Sequence, residues 1–187
     1  MRTLKLGLAA CAACVLGLAA QAHAQGHYGI GRPATDAEIA GWNIDIGRDG
    51  SNLPAGSGSV AHGHEVFEQQ CAACHGANGE GGVGDRLVGG QGTIATPKPI
   101  KTVGSYWPYA PTLFDYIRRA MPQNAPQSLS NDDVYAVSAY ILNLNGLLPS
   151  DATLDARTLS AIKMPNRDRF TGDPRPDVKN PACEKGC

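Results

Sequence analysis

No stretch of this chain is both long enough and apolar enough to cross a bilayer as a helix. The longest run, residues 6–20 (LGLAACAACVLGLAA), has 15 residues against the roughly 20 that a spanning helix needs, and no second run follows. Basic residues are not gathered into a cluster, and 16 Lys and Arg against 17 Asp and Glu give a formal net charge of −1. That excludes the basic face of a nucleic-acid binder. Aromatic residues make up only 6% of the chain and methionines number three, whereas glycine (23) and proline (13) are abundant. Such a composition suits a compact fold held by loops and a cofactor better than a large helical core.

The apolar run has the setting of an export signal. Arg2 and Lys5 precede it, and Ala22-His23-Ala24 supplies the small-x-small pattern read by signal peptidase, so residues 1–24 are expected to be removed before Gln25. The mature chain of 163 residues would then be periplasmic and soluble, without a stable membrane span, and the loss of Arg2 and Lys5 moves its formal charge from −1 to −3. Leu8-Ala9-Ala10-Cys11 resembles a lipid-modification site, and lipidation at Cys11 is the alternative. On either reading, Cys11 and Cys14 belong to no folded site.

Four cysteines are left: Cys71, Cys74, Cys183 and Cys187. The first pair forms Cys71-Ala72-Ala73-Cys74-His75, the C-x-x-C-H pattern of covalent c-type haem attachment. Two thiols three residues apart near a helix start can reach the two vinyl groups of one porphyrin, and the histidine that follows can swing beneath the iron as proximal ligand. A dithiol oxidoreductase would need a thioredoxin-like βαβ context, and zinc would need a second ligand pair nearby; the sequence offers neither. One haem c is expected.

A low-spin electron-transfer haem needs a sixth ligand, and methionine sulfur favours the ferrous state. Beyond the leader only Met121 and Met164 are available, 46 and 89 residues after His75. Met121 sits in a proline-rich loop between two expected helices and is the expected distal ligand. Met164, in a tail, and His62 or His64, on the helix before Cys71, are the alternatives. Gly79-Glu80-Gly81-Gly82-Val83-Gly84 matches G-x-G-x-x-G, but it follows neither a strand nor precedes a helix, so it reads as loop that approaches the porphyrin rather than as a nucleotide site.

The fold class expected is all-α, a small cytochrome c fold around one covalent haem, with an irregular N-terminal arm and an extended C-terminal tail. Its parts are the signal peptide (1–24), an arm with a short helix (25–58), the cytochrome c domain (59–148) and the tail (149–187). Thr35-Asp36-Ala37-Glu38 is a capping box that opens a helix to Gly41 or Trp42. Ser59 caps a helix over 60–70, with Val60, Phe67 and either Gly63 or His64 on one face. Residues 76–111 read as irregular loop, in which Tyr106, Trp107 and Tyr109 either meet the porphyrin and a propionate or form a surface aromatic turn. A helix from Thr112 to about Arg119 follows, then one opened by Ser130-Asn131-Asp132-Asp133 and closed by Asn145-Gly146. Cys183 and Cys187 lack a following histidine; a disulfide between them is expected, with free or sulfur-reactive thiols and metal binding as alternatives.

Four segments, "IGRPATDAEIAGWNIDI", "GGQGT", "KTVGSYWPYAPTLFDYIRRAMP" and "SLSNDDVYAVSAYILNLNG", resemble the SoxD-like cytochrome subunit of bacterial sulfite/sulfane dehydrogenases over roughly residues 29–148. The tail "MPNRDRF" and the closing cysteine pair resemble the same group. The resemblance implies a periplasmic electron-transfer subunit without substrate chemistry of its own. Its partners would be a molybdenum-cofactor dehydrogenase subunit and a downstream c-type cytochrome or oxidase. It implies Cys71 and Cys74 as haem attachments, with His75 and Met121 as iron ligands. Some members of the group carry a second haem domain that this chain does not show, which leaves a free electron shuttle as an alternative. A haem enzyme acting on thiosulfate, with Cys183 or Cys187 holding a sulfur intermediate, is the other.

Overall fold

The computed structural model describes residues 30–172, divided between a unit ending at Asn43 and a unit beginning at Ile44. The leader with Cys11 and Cys14, and the pair Cys183 and Cys187, lie outside the described residues.

The first unit contains helix α1 (Asp36–Trp42), opened as expected by a capping box. Thr35 Oγ1 accepts from Glu38 N at 3.3 Å, and Thr35 N donates to Glu38 Oε2 at 2.8 Å. Arg32 forks onto the same carboxylate, and these bonds together hold Glu38 down to about 2. No residue of α1 is buried.

In the second unit a short strand β1 (Ser57–Ser59) runs into helix α2 (Val60–Gln70), whose N-terminus is capped by Ser59 Oγ accepting from His62 N at 3.2 Å. A four-residue turn of helix, α3 (Ala72–His75), follows at once. No helix or strand interrupts the chain from there to α4 (Ala110–Ala120). This helix starts two residues before the expected Thr112, because Pro111 falls in the first turn, where its missing N–H costs nothing. Helix α5 (Asn131–Leu144) has the expected box, with Ser130 and Asp133 as its reciprocal partners. Gly146, at φ +72°, then lets Leu147 N reach back to Leu142 O at 2.9 Å.

Helix α5 is the centre of the core. Every residue from Val134 to Leu142 is buried, and Phe67, Phe114 and Tyr135 are the largest side chains sealed inside. Helix α2 crosses α5 at Gly63, where a Cβ would collide with the Ala136 carbonyl. Periodicity alone left Gly63 and His64 as candidates for the inner face. Gly63 takes it, and His64 is exposed.

The segment from residue 149 departs from the extended tail expected of it. Strand β2 (Thr153–Asp155) pairs antiparallel with β1, Gly58 opposite Leu154, and helix α6 (Ala156–Ser160) follows. Leu154, Leu159 and Met164 are all buried in the core. Strands of three residues are too short for alternation to register, and the polar stretches between these three apolar anchors give the segment the composition of a tail. The expected all-helical class otherwise holds: six helices and one two-stranded sheet among the described residues.

Candidate functional site

Helix α2 delivers Cys71, and α3 places the rest of the motif on one helical turn: Cys71 N bonds to Phe67 O at 2.9 Å and His75 N to Cys71 O at 3.0 Å. Cys71 is the junction between the two helices, and Cys74 N donates to Cys71 O at 3.1 Å, so the two cysteines are one turn apart with His75 directly after. Among the described residues neither thiol has a disulfide partner; Cys74 is exposed, whereas burial, with Cys74 as a lesser cause, pushes the Cys71 thiol up to about 11.

The glycine-rich loop after His75 folds back over this turn. Gly81 N donates to His75 O at 2.7 Å and Gly84 N to Cys74 O at 2.8 Å, satisfying the carbonyls that α3 leaves open at its end. A Cβ on Gly84 would come 2.9 Å from His75 Cε1, so only glycine lets the loop lie so close to the ring. His75 Nδ1 is 2.6 Å from the Asp85 carbonyl oxygen. A carbonyl only accepts, so Nδ1 carries the proton and Nε2 keeps its lone pair, the tautomer that a metal-ligating histidine needs. Two cysteines one turn apart and an imidazole fixed with Nε2 available fit a covalent haem. Among the described residues no group of three or more His, Cys, Asp or Glu is arranged to hold a bare metal ion.

The four candidates for the sixth ligand differ in setting. Met121 caps the C-terminus of α4, half-buried against the edge of the core. Met164 is 1% exposed, with its side chain taken up in core packing. His62 Nε2 lies 2.8 Å from Asp133 Oδ1 and His64 Nε2 3.3 Å from Glu68 Oε1, so both imidazoles on α2 are occupied by carboxylates.

The aromatic turn 106–109 is half-buried. Trp107 packs against the core and stands edge-on to Tyr116 at 5.8 Å, and Tyr106 O accepts from the buried Asn166 Nδ2 at 2.7 Å. Sequence reasoning missed the Asp85 carbonyl, because a backbone acceptor leaves no trace in residue type. It also read Asn145 only as a helix end. Asn145 is buried and ties the loop to α5: its Nδ2 donates to Leu87 O at 3.2 Å and Ile141 O at 2.9 Å, and its Oδ1 accepts from Gly89 N at 3.2 Å. Among the described residues no helix is long and apolar enough to cross a membrane.

Comparison with known proteins follows the same lines. The family model described as Cytochrome c matches residues 60–145. A thiosulfate dehydrogenase of Stutzerimonas stutzeri (strain A1501) is 32% identical over 91 residues, which is 47% of this chain and only 28% of that protein's length. The crystal structure of the sulfane dehydrogenase SoxCD from Paracoccus pantotrophus has a chain similar over 86% of this one and 82% of its own length, at 40% identity and a TM-score of 0.76. Identity at that level, sustained over most of both chains, goes beyond a shared architecture: the chain belongs to the cytochrome c family, and its cofactor is covalently bound haem c.

Proposed function

We propose that this chain is a periplasmic monohaem cytochrome that passes single electrons as the cytochrome subunit of a molybdenum-cofactor dehydrogenase oxidising sulfite or sulfane sulfur. The observation that carries the reading is the reach of the likeness to the sulfane dehydrogenase SoxCD. A match over 86% of the chain extends well past residues 60–145, so the likeness includes segments outside the haem-binding domain. A cytochrome c domain alone would not require those.

When bound, haem supplies a reversible one-electron couple. The residues of this chain do the rest. Cys71 and Cys74 would tether the group through thioether links at the α2–α3 corner. His75 Nε2 would ligate the iron, while the Asp85 carbonyl accepts from Nδ1–H and fixes the tautomer and orientation of the ring. Met121, at the end of α4, would supply the sulfur ligand, whereas the Met164 side chain is buried in the core. With His75 and Met121 both engaged, no position on the iron would be left for substrate, so this reading assigns oxidation of the sulfur compound to the partner and electron relay to this chain. The thiosulfate dehydrogenase of S. stutzeri favours the second reading, a haem enzyme. This chain spans little more than a quarter of that protein, and catalysis here would require Met121 to leave the iron.

Two measurements test the proposal. In the oxidised protein Met121→Ala should abolish the weak red charge-transfer band of a sulfur–iron bond, while Met164→Leu leaves it in place; the reverse result removes Met121 as ligand. Co-expressed with a molybdenum-cofactor sulfite or sulfane dehydrogenase subunit, the chain should co-purify with molybdenum, and its haem should be reduced on sulfite addition only in that complex. A monomer reduced by thiosulfate without any partner would overturn the subunit reading.

A further inference from the structure

Asp115 is an acid buried in the middle of α4, 7% exposed, and its partners show what it holds. Its Oδ1 accepts from Ile46 N at 3.0 Å and from Arg119 Nε at 2.9 Å, while Oδ2 accepts from a second nitrogen of Arg119. Close by, Arg118 donates to Ile44 O at 3.2 Å. Residues 115, 118 and 119 are three and four apart, so they share one face of α4. Segment 44–46 is laid along that face as a strap, tied to it through one N–H and one carbonyl. The strap is itself anchored: the Ile46 side chain is buried in the core, and Asn52 Nδ2 donates to Asp45 O at 3.3 Å. Burying a carboxylate is costly, and an apolar side chain of similar volume would avoid that cost. What the carboxylate alone supplies is a charge-assisted attachment, the stronger kind of hydrogen bond, between strap and helix.

That attachment sits one to two turns before Met121. Met121 caps α4, its N donating to Ile117 O at 3.0 Å. Beyond it, residues 123–128 are exposed, and the backbone bonds described for this stretch close only local turns, Ala125 N to Pro122 O at 2.9 Å and Ser128 N to Ala125 O at 3.3 Å. The place of the Met121 side chain is therefore inherited from α4 and not from the loop after it. On its inner side α4 is held by Phe114 against Tyr135 of α5, with ring centroids 4.4 Å apart. A helix gripped on one face can still roll or slide along that contact, and the strap removes this freedom. We propose that Asp115 is a positioning residue for the sixth ligand: through Ile46 N and Arg119 it locks the last turns of α4 and so keeps the Met121 sulfur on the iron. The inference rests on the reading of Met121 as that ligand and adds what holds it there.

Carbon monoxide affinity of the ferrous holoprotein is the test. The gas binds only while the sulfur is off the iron, so its apparent affinity scales with the open fraction. Asp115→Ala should raise that affinity at least about tenfold and speed hydrogen exchange at the Ile46 amide. Asp115→Asn keeps an oxygen for Ile46 N but loses the charge facing Arg119; it should raise the affinity about threefold, and it covers the case in which Asp115→Ala does not fold. Leu154→Ala, which weakens the core from strand β2, should change the affinity less than about twofold. In a Met121→Ala background the sixth position is already open, so Asp115→Ala should add nothing. A rise in Leu154→Ala as large as that in Asp115→Ala would overturn the proposal by showing general loosening, and equal increments with and without Met121 would overturn it by showing another route. Unchanged affinity in both Asp115 variants, while Met121→Ala raises it, would overturn this proposal alone. Met121→Ala without effect would overturn the ligand reading and the proposal with it.

Discussion

Gly63→Ala tests the crossing on which the haem corner depends. The added methyl would collide with the Ala136 carbonyl oxygen, lie 2.5 Å from the carbonyl carbon and come 2.8 Å from Tyr140 Cβ. Carbon atoms sit comfortably about 3.5–4.0 Å apart, so α2 and α5 must separate by about 1 Å along that line. Two of the three atoms struck are backbone, which leaves no side chain free to rotate out of the way. The cost therefore falls toward the upper end of the roughly 1–3 kcal/mol typical of an overpacked core. Replacing a mid-helix glycine returns up to about 1 kcal/mol of helix propensity. The net loss is about 2 kcal/mol, which for a domain of this size lowers the thermal midpoint by roughly 6–10 °C. Helical circular dichroism of the ferric holoprotein on heating reads it directly. An unchanged or raised midpoint would mean that propensity outweighs packing and that the two helices are not in backbone contact at this position.

Asn145→Ala removes the donors and acceptor that join Leu87, Gly89 and Ile141, so a loss of about 1–3 kcal/mol is expected together with faster hydrogen exchange at the Gly89 amide. Protection at Gly89 equal to that of the parent would place the anchor of the loop elsewhere. Ser138 Oγ is buried without a hydrogen-bond partner among the described residues, so Ser138→Ala should leave denaturant stability unchanged or raise it by up to about 1 kcal/mol; a loss above about 1 kcal/mol would reveal a partner such as water. His62 binds Asp133, which raises its pKa from 6.5, with Glu65 a lesser cause. The stabilisation is complete below pH 6.5 and fades as pH rises through the higher folded value; both groups are partly exposed, so it stays under about 1 kcal/mol. His62→Ala should flatten this slope in stability measured from pH 5.5 to 8.5, and an unchanged slope would remove the pair as its source.

What could be read from the sequence was what local chemistry dictates. Thr35 with Glu38, Ser59, and Ser130 with Asp133 announce helix starts because cap and partner are three residues apart, and all three caps are in place. The haem motif is legible for the same reason: its two thiols and imidazole occupy one turn. Gly63 was not resolved, since a glycine has no hydrophobic signal and its place on the inner face is set by the approach of a helix more than 65 residues away.

The segment after Leu148 shows how much of the fold this blind spot can conceal. Read by composition the cytochrome c domain ends at 148, and a chain stopped there should fold. Packing argues otherwise. Leu154, Leu159 and Met164 are 1%, 0% and 1% exposed, and a fully buried side chain of that size contributes about 1.5–3 kcal/mol, so the three together contribute roughly 5–9 kcal/mol. The pairing of β2 with β1 would be lost as well, leaving Gly58 with no strand beside it and the entry to α2 without its cover. A domain commonly holds only 5–15 kcal/mol in all, so a chain truncated after Leu148 should lose most of its stability. It should also aggregate or lose its cooperative unfolding transition, whereas one ending at Gly172 keeps it. Equal thermal midpoints for the two would show that the closing segment merely rests on the core, and would restore residue 148 as the end of the domain.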